Sequence, residues 1–258
     1  MRKNALTITL AALVLSIFGA FLRWLQTRNI FEEETGLALR GAPISIIYVV
    51  YSVLALAVIA AVALGWLRRY TAAAEPAQAL HTETAVPMIL TVALAVIFLC
   101  AALAVLFSAE TSRAPLLQRV FGAFAIFGGL CFPFLTPKRS GSFASAGSAA
   151  SVVLTLFCCF WMIFAYKLHA ESPILWAYAP EMLALAATTL AVYEIAAWFH
   201  GRAKIVRALI ALYFAAFLDF SVVFDARSTG LTVMLAVAAA LMLLLGYLLI
   251  ANLNERGD

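Results

Sequence analysis

Glu194 and Asp219 are the residues best placed to do chemistry in this chain, because each is a lone acid inside a long apolar run. An ionisable side chain at membrane depth is rare. It turns toward the protein interior or a water-filled cavity, and it serves either as a handle for a proton, cation or polar solute or as glue between helices. Placing an acid at the centre of a membrane helix costs about 2.5–3.5 kcal/mol on translocon scales, so each carboxyl must be hydrogen-bonded, paired or neutral.

The flanking residues sharpen both readings. Glu194 shares a helical face with Ala187, Leu190, Ala191, Ala197 and Gly201, and Asp219 with Leu212, Ala215 and Ala216. Small residues let a second helix approach closely, so both acids are expected to face protein. Thr188 and Tyr193 lie in the same run as Glu194 and join the candidate binding set. Gly129 and Pro133 complete it, because Gly128-Gly129 and Pro133 interrupt an apolar run, and interrupted helices line binding sites in several transporter architectures. Asp219 is expected to meet Arg119 or Lys167, with Glu181 a second partner for Lys167. Arg202, Lys204 and Tyr193 are the contacts expected for Glu194. The two acids fall at different depths, about 13 Å apart along the membrane normal by helical rise, too far to act as one carboxylate pair.

Other chemistry finds little footing. No H-E-x-x-H, G-x-x-x-x-G-K-[ST] or G-x-S-x-G pattern occurs, so no catalytic residue, metal site or cofactor is assigned. His81, His169 and His200 fall near different span ends and cannot share one metal ion. Cys100, Cys131, Cys158 and Cys159 lie in apolar runs without a C-x-x-C pair and read as packing residues. Ser140, Ser142, Ser145 and Ser148 have no base nearby in sequence.

The elements that must position these residues are membrane helices. Hydrophobic residues make up 66% and charged residues 12% of 258, against about 45–50% and about 25% in soluble domains. About twenty apolar residues span a bilayer as a helix, and eight such spans are legible: 5–22, 45–67, 86–108, 115–136, 150–168, 181–200, 206–225 and 229–252. The fold class is therefore all-α, a polytopic transmembrane bundle in one integral membrane domain, residues 1–258. The first span follows Arg2-Lys3 like a secretory leader but lacks a small-x-small cleavage site, and is expected to be retained.

The net charge of +4 does not point to nucleic acid, because Lys and Arg collect in short loops where they set topology. With the N-terminus inside, Arg2, Lys3, Arg68, Arg69, Lys138, Arg139, Arg202, Lys204, Arg207 and Arg256 fall on the cytoplasmic side. Arg23, Arg28, Arg40, Arg113, Arg119, Lys167 and Arg227 fall outside. Both termini are then cytoplasmic. Short loops and the lack of an N-x-S/T sequon fit a bacterial cell membrane.

A flexible connector is expected at 137–149, dividing the chain into halves 1–136 and 150–258. Leu54-Ala55-Leu56-Ala57 recurs as Leu183-Ala184-Leu185-Ala186, a coincidence of composition rather than a repeat. Glu32-Glu33-Glu34 in the first outer loop reads as a solvated surface. Two functions fit. The leading one is binding or transport of a small solute or ion through an intramembrane pocket built on Glu194 and Asp219, motivated by the two acids on small-residue faces and the interrupted fourth span. The other is a non-transporting accessory or scaffold protein that binds another membrane protein, favoured by the bland, charge-free eighth span and the scarcity of polar groups inside the membrane. The discriminating geometry is a hydrated cavity reaching an acid, against closed acids with a small-residue groove elsewhere.

Overall fold

The computed structural model describes residues 2–30, 42–67, 70–71, 79–80, 85–108, 114–136, 143–169, 175–202, 204–225 and 227–255. Among these residues the chain is helical apart from one short strand pair. The helices are α1 (Arg2–Ile30), α2 (Pro43–Leu67), α3 (Ala85–Phe107), α4 (Pro115–Cys131), α5 (Phe143–His169), α6 (Leu175–Phe199), α7 (Ile205–Ser221) and α8 (Thr229–Ala251). Seven of them are long and apolar enough to cross a membrane, α4 by continuing to Leu135; α7, with 17 residues, is not among them. The chain is a multi-pass membrane protein.

Local chemistry sets the helix ends. Pro43 and Pro115 open α2 and α4, where a missing N–H costs nothing. α4 passes at Phe132 into a 3-10 turn, Phe132–Leu135, which carries Pro133. Ser228 caps α8 by accepting from the Leu231 N–H. Inside the helices, Ser16, Ser52, Thr91, Thr155, Thr189 and Ser221 each donate to the carbonyl four residues earlier, so these hydroxyls are satisfied without water.

The core is the C-terminal pair. α7 packs against α6, α8, α1 and α2, while α8 packs against α7, α3 and α1. The helices α3 to α6 follow one another as neighbours, and α1 leans on α2, where the Tyr51 hydroxyl donates to the Leu15 carbonyl at 2.8 Å. The pairs α1–α2 and α3–α4 make no substantial contact with each other among the described residues; α1–α2 rests on α7 and α8, and α3–α4 on α8. Between α2 and α6 the perimeter stays open, and α7 forms the floor of the opening. At the end holding the N-terminus, strand β1 (Tyr70–Thr71) pairs antiparallel with β2 (Asn254–Glu255), and Asn252 Nδ2 donates to the Ala79 carbonyl at 2.9 Å.

Packing at α4 shows what its glycines do. A Cβ on Gly122 would fall 2.9 Å from Leu106 Cβ and 3.0 Å from its Cα, so α3 and α4 touch backbone to side chain there. Gly128 and Gly129 make room for the rings of Phe157 and Phe98. Phe98, Phe121, Phe132, Phe157, Trp161 and Phe164 form one aromatic cluster, with Phe121 stacked on Phe164 at 4.1 Å between centroids. Phe124 and Phe127, on the opposite face of α4, are exposed.

Several expectations are corrected. α1 does not stop at residue 22 but runs to Ile30, carrying Arg23 as part of a helix rather than a loop. Residues 143–149, expected in the connector, are the first turns of α5. α7 ends at Ser221 rather than 225, and residues 222–225 form a turn. The bland last helix, α8, is the most deeply buried of the membrane-length helices. The acidic run Glu32-Glu33-Glu34, the basic pairs Arg68-Arg69 and Lys138-Arg139, and His81 lie outside the described residues.

Candidate functional site

Asp219 and Glu194 both face protein, and the structure gives them separate partners. Asp219 has no exposed surface. Thr188 on the adjacent helix α6 donates to its Oδ2 at 2.6 Å, while Oδ1 has no hydrogen-bond partner. Arg119 and Lys167 were the expected partners. Thr188 takes that place because α6 and α7 pack along their length and bring it to the same depth. Thr188 also lines a small cavity of ≈ 10 Å³ among Phe98, Phe132, Phe157, Cys158 and Trp161. That volume is about the room one water molecule needs, but the walls are apolar apart from the threonine.

Glu194 is buried and pairs with Arg207, whose Nη2 lies 3.1 Å from Oε1 and 3.3 Å from Oε2. The expected contacts Arg202, Lys204 and Tyr193 give way to this residue. α6 ends in a tight turn at Gly201, and α7 starts just beyond it, so Arg207 returns opposite Glu194. Arg207 is half-exposed and can keep part of its guanidinium in water. Tyr193 points away from Glu194's environment and is exposed on the outer surface of the bundle. Gly129 and Pro133 lie in the α4 packing described above, Gly129 against Phe98 and Leu99. The candidate set therefore does not converge: Thr188 and Asp219 meet, Glu194 joins Arg207, and the other three stand apart.

The most extensive polar assembly is one the sequence did not announce. At the end of the bundle opposite the N-terminus, Arg23 is 1% exposed and grips Asp225 through two bonds, Nε to Oδ1 at 2.9 Å and Nη2 to Oδ2 at 3.1 Å. Its Nη1 donates to Gln26 Oε1 at 2.8 Å, and Gln26 Nε2 donates to Ser45 Oγ at 3.2 Å. The Tyr48 ring lies beneath the guanidinium at 5.9 Å. Arg227 continues the chain, with Nη2 3.8 Å from Asp225 Oδ2 and 3.4 Å from Glu181 Oε2. His169 Nε2 meets the same Glu181 oxygen at 3.3 Å, and its ring stacks on Tyr178.

This network ties α1, α2, α5, α6 and the α7–α8 turn together. It holds two guanidiniums and two carboxylates, and its interior members are paired. Burial pushes the Asp225 carboxyl above its ordinary range, and the Arg23 guanidinium draws part of that shift back. Glu181 was expected to meet Lys167; His169 reaches it instead, because it ends α5 at that depth while Lys167 is exposed on another side. The one trace of this network in the sequence is the helical spacing of Ser16, Ala20, Arg23 and Gln26, which the structure shows to be one buried face.

The cavities are apolar. A lateral groove of ≈ 450 Å³ opens between α2 and α6, lined by Val53, Ala179, Ala186, Ala187 and Leu183 above a floor of Phe214 and Leu218. A second cavity of ≈ 170 Å³ opens between α1 and α2 nearer the other end, against Leu209 and Tyr213. Neither is lined by Glu194 or Asp219. Among the described residues no group of His, Cys, Asp and Glu is arranged to hold a metal ion. No protein-family model, curated protein or solved structure matches the chain.

Proposed function

We propose that this chain is an eight-span protein of the cell membrane that acts as an accessory or scaffold, holding a transmembrane helix of another membrane protein in the groove between α2 and α6. Both termini face the cytoplasm in this reading, following the loop charges. The observation that carries it is the contrast between a closed interior and an open flank. Asp219 is enclosed and bonded to Thr188, Glu194 is paired with Arg207, and the open volume lies between helices rather than along a central path. The groove walls offer Ala179, Ala186 and Ala187 on one side and Ser52 on the other, the small side chains that let a helix backbone approach closely.

A second reading, binding of a small solute or ion, is favoured by the partnerless Oδ1 of Asp219 beside the small cavity that Thr188 lines. A photoreactive residue at Leu183, in the groove, beside one at Leu116, exposed on α4, separates the two readings in native membranes. The scaffold reading expects a discrete protein adduct from Leu183 alone, lost when Ala187→Trp fills the groove. Lipid-only adducts at Leu183, or a solute-dependent thermal stabilisation abolished by Asp219→Asn, overturn it.

A further inference from the structure

The tight turn joining α6 to α7 carries more positive charge than the ion pairing of the bundle uses. His200, Arg202, Lys204 and Arg207 are all exposed there. Arg207 is partly engaged by the buried Glu194, whereas no pairing of Arg202 or Lys204 with an acid is found among the described residues. An excess of two fixed charges therefore sits on one short connection.

Hydrogen bonds fix the end of α6. Gly201 adopts φ 71°, the left-handed conformation that ends a helix, and the Arg202 N–H bonds the Ala197 carbonyl at 2.8 Å while the Gly201 N–H bonds that of Trp198 at 3.0 Å. His200 is tied toward the start of α5 by Ser148, 3.4 Å from its Nε2. Arg202 and His200 thus start from anchored positions at the end of α6, which lowers the ordering cost of gathering basic side chains around one ligand.

Its depth is set by the neighbouring surface. Leu190 and Tyr193, on the last turns of α6, are exposed and face the apolar surroundings of the bundle. An amphipathic tyrosine ring at such a place marks the headgroup boundary. The basic turn begins one to two turns beyond it, at the level of lipid phosphates.

We infer that the α6–α7 turn is a seat for the phosphate headgroup of an anionic phospholipid, with Arg202 and Lys204 as its principal contacts. This surface is separate from the α2–α6 groove and does not depend on the scaffold reading. Basic residues at the membrane surface attract anionic lipid additively, so removing two of them should be visible in affinity.

The test uses the full-length protein in neutral detergent, with retained lipids counted by native mass spectrometry. Phosphatidylglycerol and phosphatidylcholine are the lipid probes, and inorganic phosphate is the free-anion probe. Wild type should retain phosphatidylglycerol in preference to phosphatidylcholine, and the double variant R202Q/K204Q should lose that preference, with affinity falling about thirtyfold. Lys167→Gln, an exposed basic residue at the opposite end, should leave it unchanged, and all variants should melt alike in phosphatidylcholine. Equal retention of the two lipids by wild type, or equal losses in R202Q/K204Q and Lys167→Gln, would overturn the inference. So would displacement of phosphatidylglycerol by millimolar inorganic phosphate, which would make the turn a free-anion site.

Discussion

Arg23 shows how much the fold asks of a single side chain. It leaves water almost completely, and its guanidinium is matched by a bidentate carboxylate and an amide oxygen. Breaking a buried pair by deleting one partner leaves an uncompensated charge, at a cost of about 3–5 kcal/mol. Arg23→Ala is therefore expected to lower the midpoint of thermal unfolding in detergent more than any substitution at an exposed arginine. Thr188→Val removes the hydroxyl that Asp219 uses, and leaving a buried acceptor unmet costs about 1–3 kcal/mol. Glu194→Gln should cost little, about 0–1 kcal/mol, because the half-exposed Arg207 can turn to solvent and a glutamine oxygen still accepts. A denaturation series of the three variants checks this ranking, and a loss at Glu194→Gln as large as that at Arg23→Ala would contradict it.

Among the elements, close approach is concentrated at a few glycines. Leucine at Gly122 has no room, because a Cβ already meets Leu106 at 2.9 Å. Gly65, with no atom within 4 Å of its would-be Cβ, is open. Gly122→Leu is expected to destabilise by about 1–3 kcal/mol by forcing α3 and α4 apart, while Gly65→Leu stays near zero. Paired melting curves decide it.

The helices themselves were legible in the sequence because apolar length alone specifies a span; the limits of α2, α3 and α8 fall within two residues of those read from it. The misjudged limits share a cause. Arg23 ends the apolar run in α1, but the helix continues, since a charge can be carried inward when a partner waits for it. The small polar residues at 143–149 looked like a linker, although Ala-rich stretches propagate a helix once Gly147 can lie against Phe199 and the Phe134 carbonyl.

Burial of both acids was also readable, from the small residues on their faces. Their partners were not, because pairing follows packing. Yet Glu194 lies seven residues before Gly201 and Arg207 six after it, so the geometry of adjacent antiparallel helices would have named that pair. Glu181 and His169 do not follow the same rule, because His169 ends α5 whereas Glu181 lies six residues beyond the start of α6. Arg23 with Asp225 lies beyond any such local rule, since it joins the first helix to the turn before the last.

At the scale of the whole molecule, α7 and α8 form a packed axis that the peripheral helices clothe, with a lateral opening between α2 and α6. The proposed topology places the α6–α7 turn and both termini on one side and the α5–α6 connection on the other. In sealed right-side-out vesicles of a cysteine-free chain, an impermeant maleimide should label Lys167→Cys and spare Arg202→Cys; the reverse pattern would invert the orientation.

The claim beneath the scaffold reading is that water does not reach the middle of the bundle, and a native residue reports on it. Cys158 is buried and lines the same small cavity as Thr188, the partner of Asp219. With Cys100, Cys131 and Cys159 replaced by alanine, Cys158 should resist a small, charged, water-soluble thiol reagent in membranes and react fully once the chain is unfolded in detergent. Labelling of the folded protein at a rate near that of an exposed Arg202→Cys would reveal a hydrated route to the buried acid and contradict a closed interior.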